Sequence, residues 1–205
     1  MSTPRPKLIL CALACLVGFS AGAQEPATSA PGIAHYCADR ATDADHRREA
    51  ALLFFAVPQN SNPALDRWSR AASQQELEFA ERNGDSTASV SLQTHRPVWI
   101  NFTFQSQFGD WVTWATYCYR PDGSLAILHS ELKSFHGNLR VVRNRYYAPN
   151  GRLLSRSENS WDLATNLPKK IPPDFWDQPA PIFLHSSDLP FAHQLPRKPN
   201  QSRNP

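Results

Sequence analysis

The sequence predicts an α+β fold: N-terminal helices packed on an antiparallel β-meander of about five or six strands, closed by a C-terminal extended strap rich in proline and aromatics. Three observations carry this expectation. Apolar residues recur at helical spacing between positions 42 and 83. From Thr87 to Asn159 the period changes to two and turn-forming residues punctuate it at intervals. Residues 160–195 then follow neither period, yet carry Trp161, Trp176 and three phenylalanines among many prolines.

The first 23 residues are set aside before the fold is considered. Arg5 and Lys7 precede an apolar run from Leu8 to Val17, and Ala21-Gly22-Ala23 is a small-x-small cleavage pattern. This is the three-part form of a secretory signal peptide, cleaved after Ala23, and it implies a periplasmic or secreted chain. No apolar run reaches the ~18–20 residues of a spanning helix, so no transmembrane segment is expected after cleavage. Residues 24–40 read as a flexible leader and 196–205 as a disordered basic tail, leaving 41–195 as one domain.

Charge narrows the partners. The 205 residues hold 21 Lys and Arg against 18 Asp and Glu. Arg5 and Lys7 leave with the signal peptide, and Arg197, Lys198 and Arg203 lie in the tail, so the body 24–195 carries 16 basic and 18 acidic residues. A nucleic-acid binder needs a basic face, and this body has no basic excess to build one. Of the four cysteines, Cys11 and Cys15 leave with the signal peptide. Cys37 and Cys118 remain, and two cysteines in an exported chain are expected to form a disulfide.

Within the domain, Thr42 is placed to cap a first helix with Asp45 at its third position. Ala50, Leu53, Phe54 and Val57 form its apolar stripe, and Pro58 ends it. A second helical stretch begins near Pro63 and carries Leu65, Trp68 and Ala72 on one face. Ser73 and Glu76 form a capping box that restarts the helix through Leu77 and Phe79, and Asn83-Gly84 closes it.

The meander follows over 87–159. Val98, Ile100, Phe102 and Phe104 alternate with polar or larger neighbours, and 111–120 is rich in Trp, Tyr, Val and Thr. Pro121-Asp122-Gly123, His136-Gly137-Asn138 and Pro149-Asn150-Gly151 are the turns. The first and third belong to an internal echo, Tyr119-Arg-Pro-Asp-Gly-Ser-Leu125 and Tyr147-Ala-Pro-Asn-Gly-Arg-Leu153, which sets both turns at one end of the sheet.

Turn geometry dictates register. Three-residue loops with glycine in the bulge position pair Tyr119 with Leu125, Phe135 with Leu139, and Tyr147 with Leu153. Carried outward, that register puts Trp114, Cys118, Ala126, Leu128, Leu132, Val142 and Tyr146 on one face, the seat for the helices. The other face receives Tyr117, Tyr119, Ile127, His129, Glu131, Lys133, Arg143, Arg145 and Tyr147, with Glu131 opposite Arg143 and His129 opposite Arg145. The strap is expected over the aromatic end of this second face.

Chemistry-bearing patterns are few. Arg143 and Arg145, beside Tyr119 and Tyr147, are the candidate ligand-binding set, since paired guanidinia hold anions. His129 and Glu131 are the weak catalytic candidates, as a general acid/base pair. No G-x-G-x-x-G, P-loop or H-E-x-x-H occurs, so no cofactor or metal is expected. The functional expectation is a monomeric, non-catalytic binding or envelope-accessory module that uses one sheet face for a small molecule, peptide or envelope component. The alternatives are a periplasmic hydrolase acting through His129 and Glu131, and a structural subunit that binds a partner by strand addition.

Overall fold

The computed structural model describes residues 29–57 and 66–196. The expected signal peptide 1–23, the start of the expected leader, most of the basic tail and the region around Pro63 lie outside these residues.

Among the described residues, two α-helices and eight strands follow one another: α1 (Ala30–His46), β1 (Leu52–Ala56), β2 (Ser69–Arg70), α2 (Gln74–Arg82), β3 (Ser86–Gln93), β4 (Arg96–Gln105), β5 (Trp111–Tyr119), β6 (Leu125–Ser134), β7 (Leu139–Tyr147) and β8 (Leu153–Asp162). All eight strands form one antiparallel sheet in the order β2-β1-β3-β4-β5-β6-β7-β8. The expected meander is therefore its six-stranded part, and β1 and β2 are two strands more than the sequence led us to expect.

The N-terminal part departs from expectation. Residues 30–40 are helical where a flexible leader was expected, because Ser29 caps the chain there and Pro31 stands in the first turn. Alanines at 30, 34, 38, 41 and 44 supply the propensity. Thr42 is no cap but an interior residue whose hydroxyl donates to the Ala38 carbonyl. The apolar run after Ala51 is a strand and not the stripe of a helix. Phe54 and Ala56 alternate inward, and β1 gains a full ladder against β3. A short apolar run satisfies both periods, and pairing with a neighbour decides between them. Around α2 the local signals hold: the Ser73 hydroxyl accepts from the Glu76 amide, and the Glu76 carboxylate accepts from the Ala72 amide.

The sheet has two differently dressed faces. On one, Phe54, Ile100, Phe102, Phe104, Tyr117, Tyr119 and Leu128 form the main core, joined by Ala180, Phe183, Leu189 and Phe191 of the C-terminal segment. The Tyr117 hydroxyl donates to the Pro181 carbonyl and the Tyr119 hydroxyl to that of Phe183, so both buried phenols have acceptors. On the other face, Ile33 and Cys37 of α1 pack on Cys118 and Ala126. Cys37 and Cys118 form the expected disulfide.

Register explains the largest difference from the sequence reading. Tyr119 pairs with Leu125 and Tyr147 with Leu153, as expected, but the central turn joins Ser134 to Leu139 and holds four residues. Next to each tyrosine the pairing shifts: Cys118 faces Ile127 and Tyr146 faces Ser155, leaving Ala126 and Leu154 as bulge residues. One extra residue inverts every side chain beyond it. His129, Glu131 and Lys133 thus lie on the helix side, while Leu128 and Leu132 lie in the opposite core. Glu131 faces Val142 and His129 faces Asn144; Arg143 faces Ser130 and Arg145 faces Leu128.

Arg120 ties the two echo turns together. It is 2% exposed, and its guanidinium donates to the carbonyls of Leu125 and Tyr147, each within 2.7 Å. Arg120→Met is expected to lower stability by about 2–4 kcal/mol in urea unfolding, because two buried carbonyls lose their donors. Arg120→Lys should recover only part, lacking the fork that reaches both. A variant as stable as the parent would show that other donors satisfy these carbonyls.

Candidate functional site

The six residues singled out by sequence are divided between the two sides of the sheet. Tyr119 is fully buried, and Tyr147 is 4% exposed in the same core. Arg143 is also buried. Its Nε donates to Glu158 at 2.6 Å and an Nη donates to Asp177 at 2.8 Å, which ties β7 and β8 to the C-terminal segment. Arg145 lies on this covered side as well, half-buried and opposite Arg156. These four side chains belong to the interior and the seam of the fold, and the His129–Arg145 and Glu131–Arg143 juxtapositions do not form.

His129 and Glu131 share the helix-side face but serve different networks. Glu131 accepts two hydrogen bonds from Arg140, at 2.9 and 3.0 Å, with Lys133 3.8 Å away. Partial burial opposes its ionisation, but the Arg140 hydrogen bonds and the charges of Arg140, Lys133 and His129 outweigh this and hold the carboxyl below its usual range. Lys133 lies over the Trp114 ring and Arg140 over that of Trp161. The carboxylate is engaged by guanidinium and ammonium rather than by an imidazole.

His129 belongs to an uncharged row. Ser89, Asn101, Thr116, His129, Asn144 and Ser157 stand directly opposite one another on six consecutive strands, β3 to β8. Within the row the Thr116 hydroxyl donates to Asn101 Oδ1 at 3.0 Å. His129 Nδ1 meets Asn144 Oδ1 at 2.8 Å, and Asn144 Nδ2 donates to the Ser157 hydroxyl at 3.3 Å. An amide oxygen can only accept, so Nδ1 carries the proton in this contact, and in the neutral ring Nε2 is left as an acceptor. That Nε2 has no hydrogen-bond partner among the described residues.

α1 forms a wall along this row. Ala34 and Ala38 stand beside Thr116, His129 and Asn144 in a cavity of about 260 Å³. Ala41, Ala44 and Asp45 stand beside Ser89 and Asn101 in a second one of about 420 Å³, whose far wall is α2 through Gln74, Leu77 and Glu81. Trp99 lines both. The small side chains that give α1 its helicity also leave this space open. Sequence reasoning missed Ser89, Asn101, Thr116, Asn144 and Ser157 because each is an ordinary polar strand residue. Only the pairing register brings them into one line.

Among the described residues no three His, Cys, Asp or Glu side chains gather as a metal cluster, and no helix is long and apolar enough to cross a membrane. No protein-family model, curated protein or solved structure matches the chain.

Proposed function

We propose that this protein is an exported, non-catalytic binding module whose ligand lies on the helix-side face of the sheet, along the row Asn101–Thr116–His129–Asn144–Ser157. The observation that carries the reading is that row itself. It is an unbroken line of neutral hydrogen-bonding side chains, open beside α1, on a sheet whose other face is filled by the C-terminal segment. A merely solvated sheet face more often carries mixed charges, as the neighbouring Glu131, Lys133 and Arg140 do. Export is supported by the signal-like residues 1–23 and by a disulfide, which persists in an oxidising compartment.

The hydrolase alternative draws little from Glu131, whose carboxylate is committed to Arg140. Strand addition draws on β8, an edge strand. Its C-terminal end is already paired, since the Asp162 amide donates to Leu167 and the Lys169 amide to Ser160, which confines strand addition to 153–159.

The test is co-sedimentation of the purified mature chain with isolated bacterial cell envelopes. The wild type is expected in the pellet and the His129→Ala/Asn144→Ala variant in the supernatant. Equal sedimentation of the two, or no sedimentation of the wild type, would overturn the reading.

A further inference from the structure

We infer that the ligand of this face is a linear, uncharged oligosaccharide lying across the strands in the trench beside α1. The inference rests on the binding reading above and adds the chemical class. Three features of the trench converge on it.

The first is chemistry. The row offers two carboxamides, three hydroxyls and one imidazole, and no formally charged side chain. Such groups give and accept hydrogen bonds in the same mixture that sugar hydroxyls require. After the bonds inside the row are counted, Asn101 Nδ2, the Ser157 hydroxyl hydrogen and His129 Nε2 are not used within it. The formal charges of the adjoining row, Glu131, Lys133 and Arg140, are spent on one another. The charged residues of the α1–α2 end, Asp45, Arg48 and Glu81, are of both signs and stand in the walls and not in the row.

The second is repeat length. Neighbouring strands lie about 4.8 Å apart, so six strands carry the row over about 24 Å with one polar side chain per step. A step of that size is close to one sugar unit of an extended chain. Successive units therefore meet successive strands, and a ligand of four or five units spans the row.

The third is the rim. Trp99 stands in the row on the α1 side and Trp114 in the row on the other side, both with exposed surface. Flat indole surface beside hydrogen-bonding groups suits a ring that is apolar on its faces and polar at its edge. An extended peptide is the poorer occupant. The trench runs over the middle of the sheet, where the strands' backbone groups are paired with one another, so the main-chain partners that peptide recognition uses are missing there.

The experiment is isothermal titration of the mature, disulfide-bonded chain with β-1,4-linked N-acetylglucosamine and glucose oligomers of two to six units, and with a ten-residue Ser/Thr-rich peptide. Affinity is expected to rise with oligomer length and to level off at four or five units. Asn101→Ala and Ser157→Ala remove exposed side chains and are expected to leave the fold intact. Each should weaken binding about three- to tenfold, the loss of one neutral hydrogen bond. Asn144→Ala should do more, because it also frees the His129 ring.

Absence of binding by every oligomer would overturn the sugar assignment, and envelope sedimentation would then judge the binding reading separately. Tighter binding of the peptide than of any sugar would also overturn it. Sugar binding unchanged by all three substitutions would overturn the site.

Discussion

Replacing both Cys37 and Cys118 with alanine is expected to lower the stability of the mature chain by about 4–5 kcal/mol, the loop-closure entropy of an 81-residue separation. For a chain of this size that corresponds to a fall of about 8–20 °C in Tm. The reason is the sparse attachment of α1. Apart from the disulfide, it is held by buried Ile33, by the Tyr36 hydroxyl donating to Tyr119 and by Arg40 donating to Gln93. Its other inward residues are alanines, which bury little apolar area. Thermal melts with and without reductant measure the effect, and amide exchange across 30–46 locates it. A double variant within about 1 kcal/mol of the parent would show that these few contacts suffice to hold the helix. Because α1 is one wall of the trench, the variant should also lose ligand affinity at temperatures where the sheet itself stays folded.

Phe191→Ala is expected to cost about 3–5 kcal/mol, as for a large aromatic removed from a packed core. Phe191 is fully buried and stacks on Phe54 with centroids 4.2 Å apart. It also meets Trp68 at 5.5 Å and Phe102 at 5.6 Å. A residue near the C-terminal end thereby closes a cluster built from β1, β4 and the residue before β2. Its truncation should leave a void that three aromatics cannot collapse to fill. Denaturant unfolding gives the magnitude, and limited proteolysis within 170–190 should become faster. If the midpoint stays unchanged, the C-terminal segment is not part of the cooperative core.

How much was legible follows from the range of each signal. Ser73 and Glu76 form their helix start through contacts three and four residues apart, so the chain text alone suffices. The tyrosine-to-leucine turns are likewise local, and both pair as expected. Arg143 and Arg145 do share the face of Tyr119 and Tyr147, as alternation implied, but the C-terminal segment covers that face and Asp177 engages Arg143. A bulge at Ala126, which no local residue announces, sent His129 and Glu131 to the other side, and the four-residue turn after Ser134 changed their partners on β7. The segment Leu52–Ala56 failed for a related reason. Five apolar residues suit helix or strand, and the free ladder of β3 settled the matter.

By itself the sequence determined the helix capped by Ser73, an antiparallel meander and the cysteine pair, because caps, glycine turns, period-two alternation and a count of two cysteines need no distant partner. The helical start expected near Pro63 did not hold, since Ser69–Arg70 pairs with β1 as a strand. Only the tertiary structure decided which residues share a face. That choice rests on a single-residue register, set by packing Tyr117, Tyr119 and Leu128 against Phe183 and Phe191 across the chain. The candidate site is a line drawn across six strands, and such a line exists only once those strands are paired.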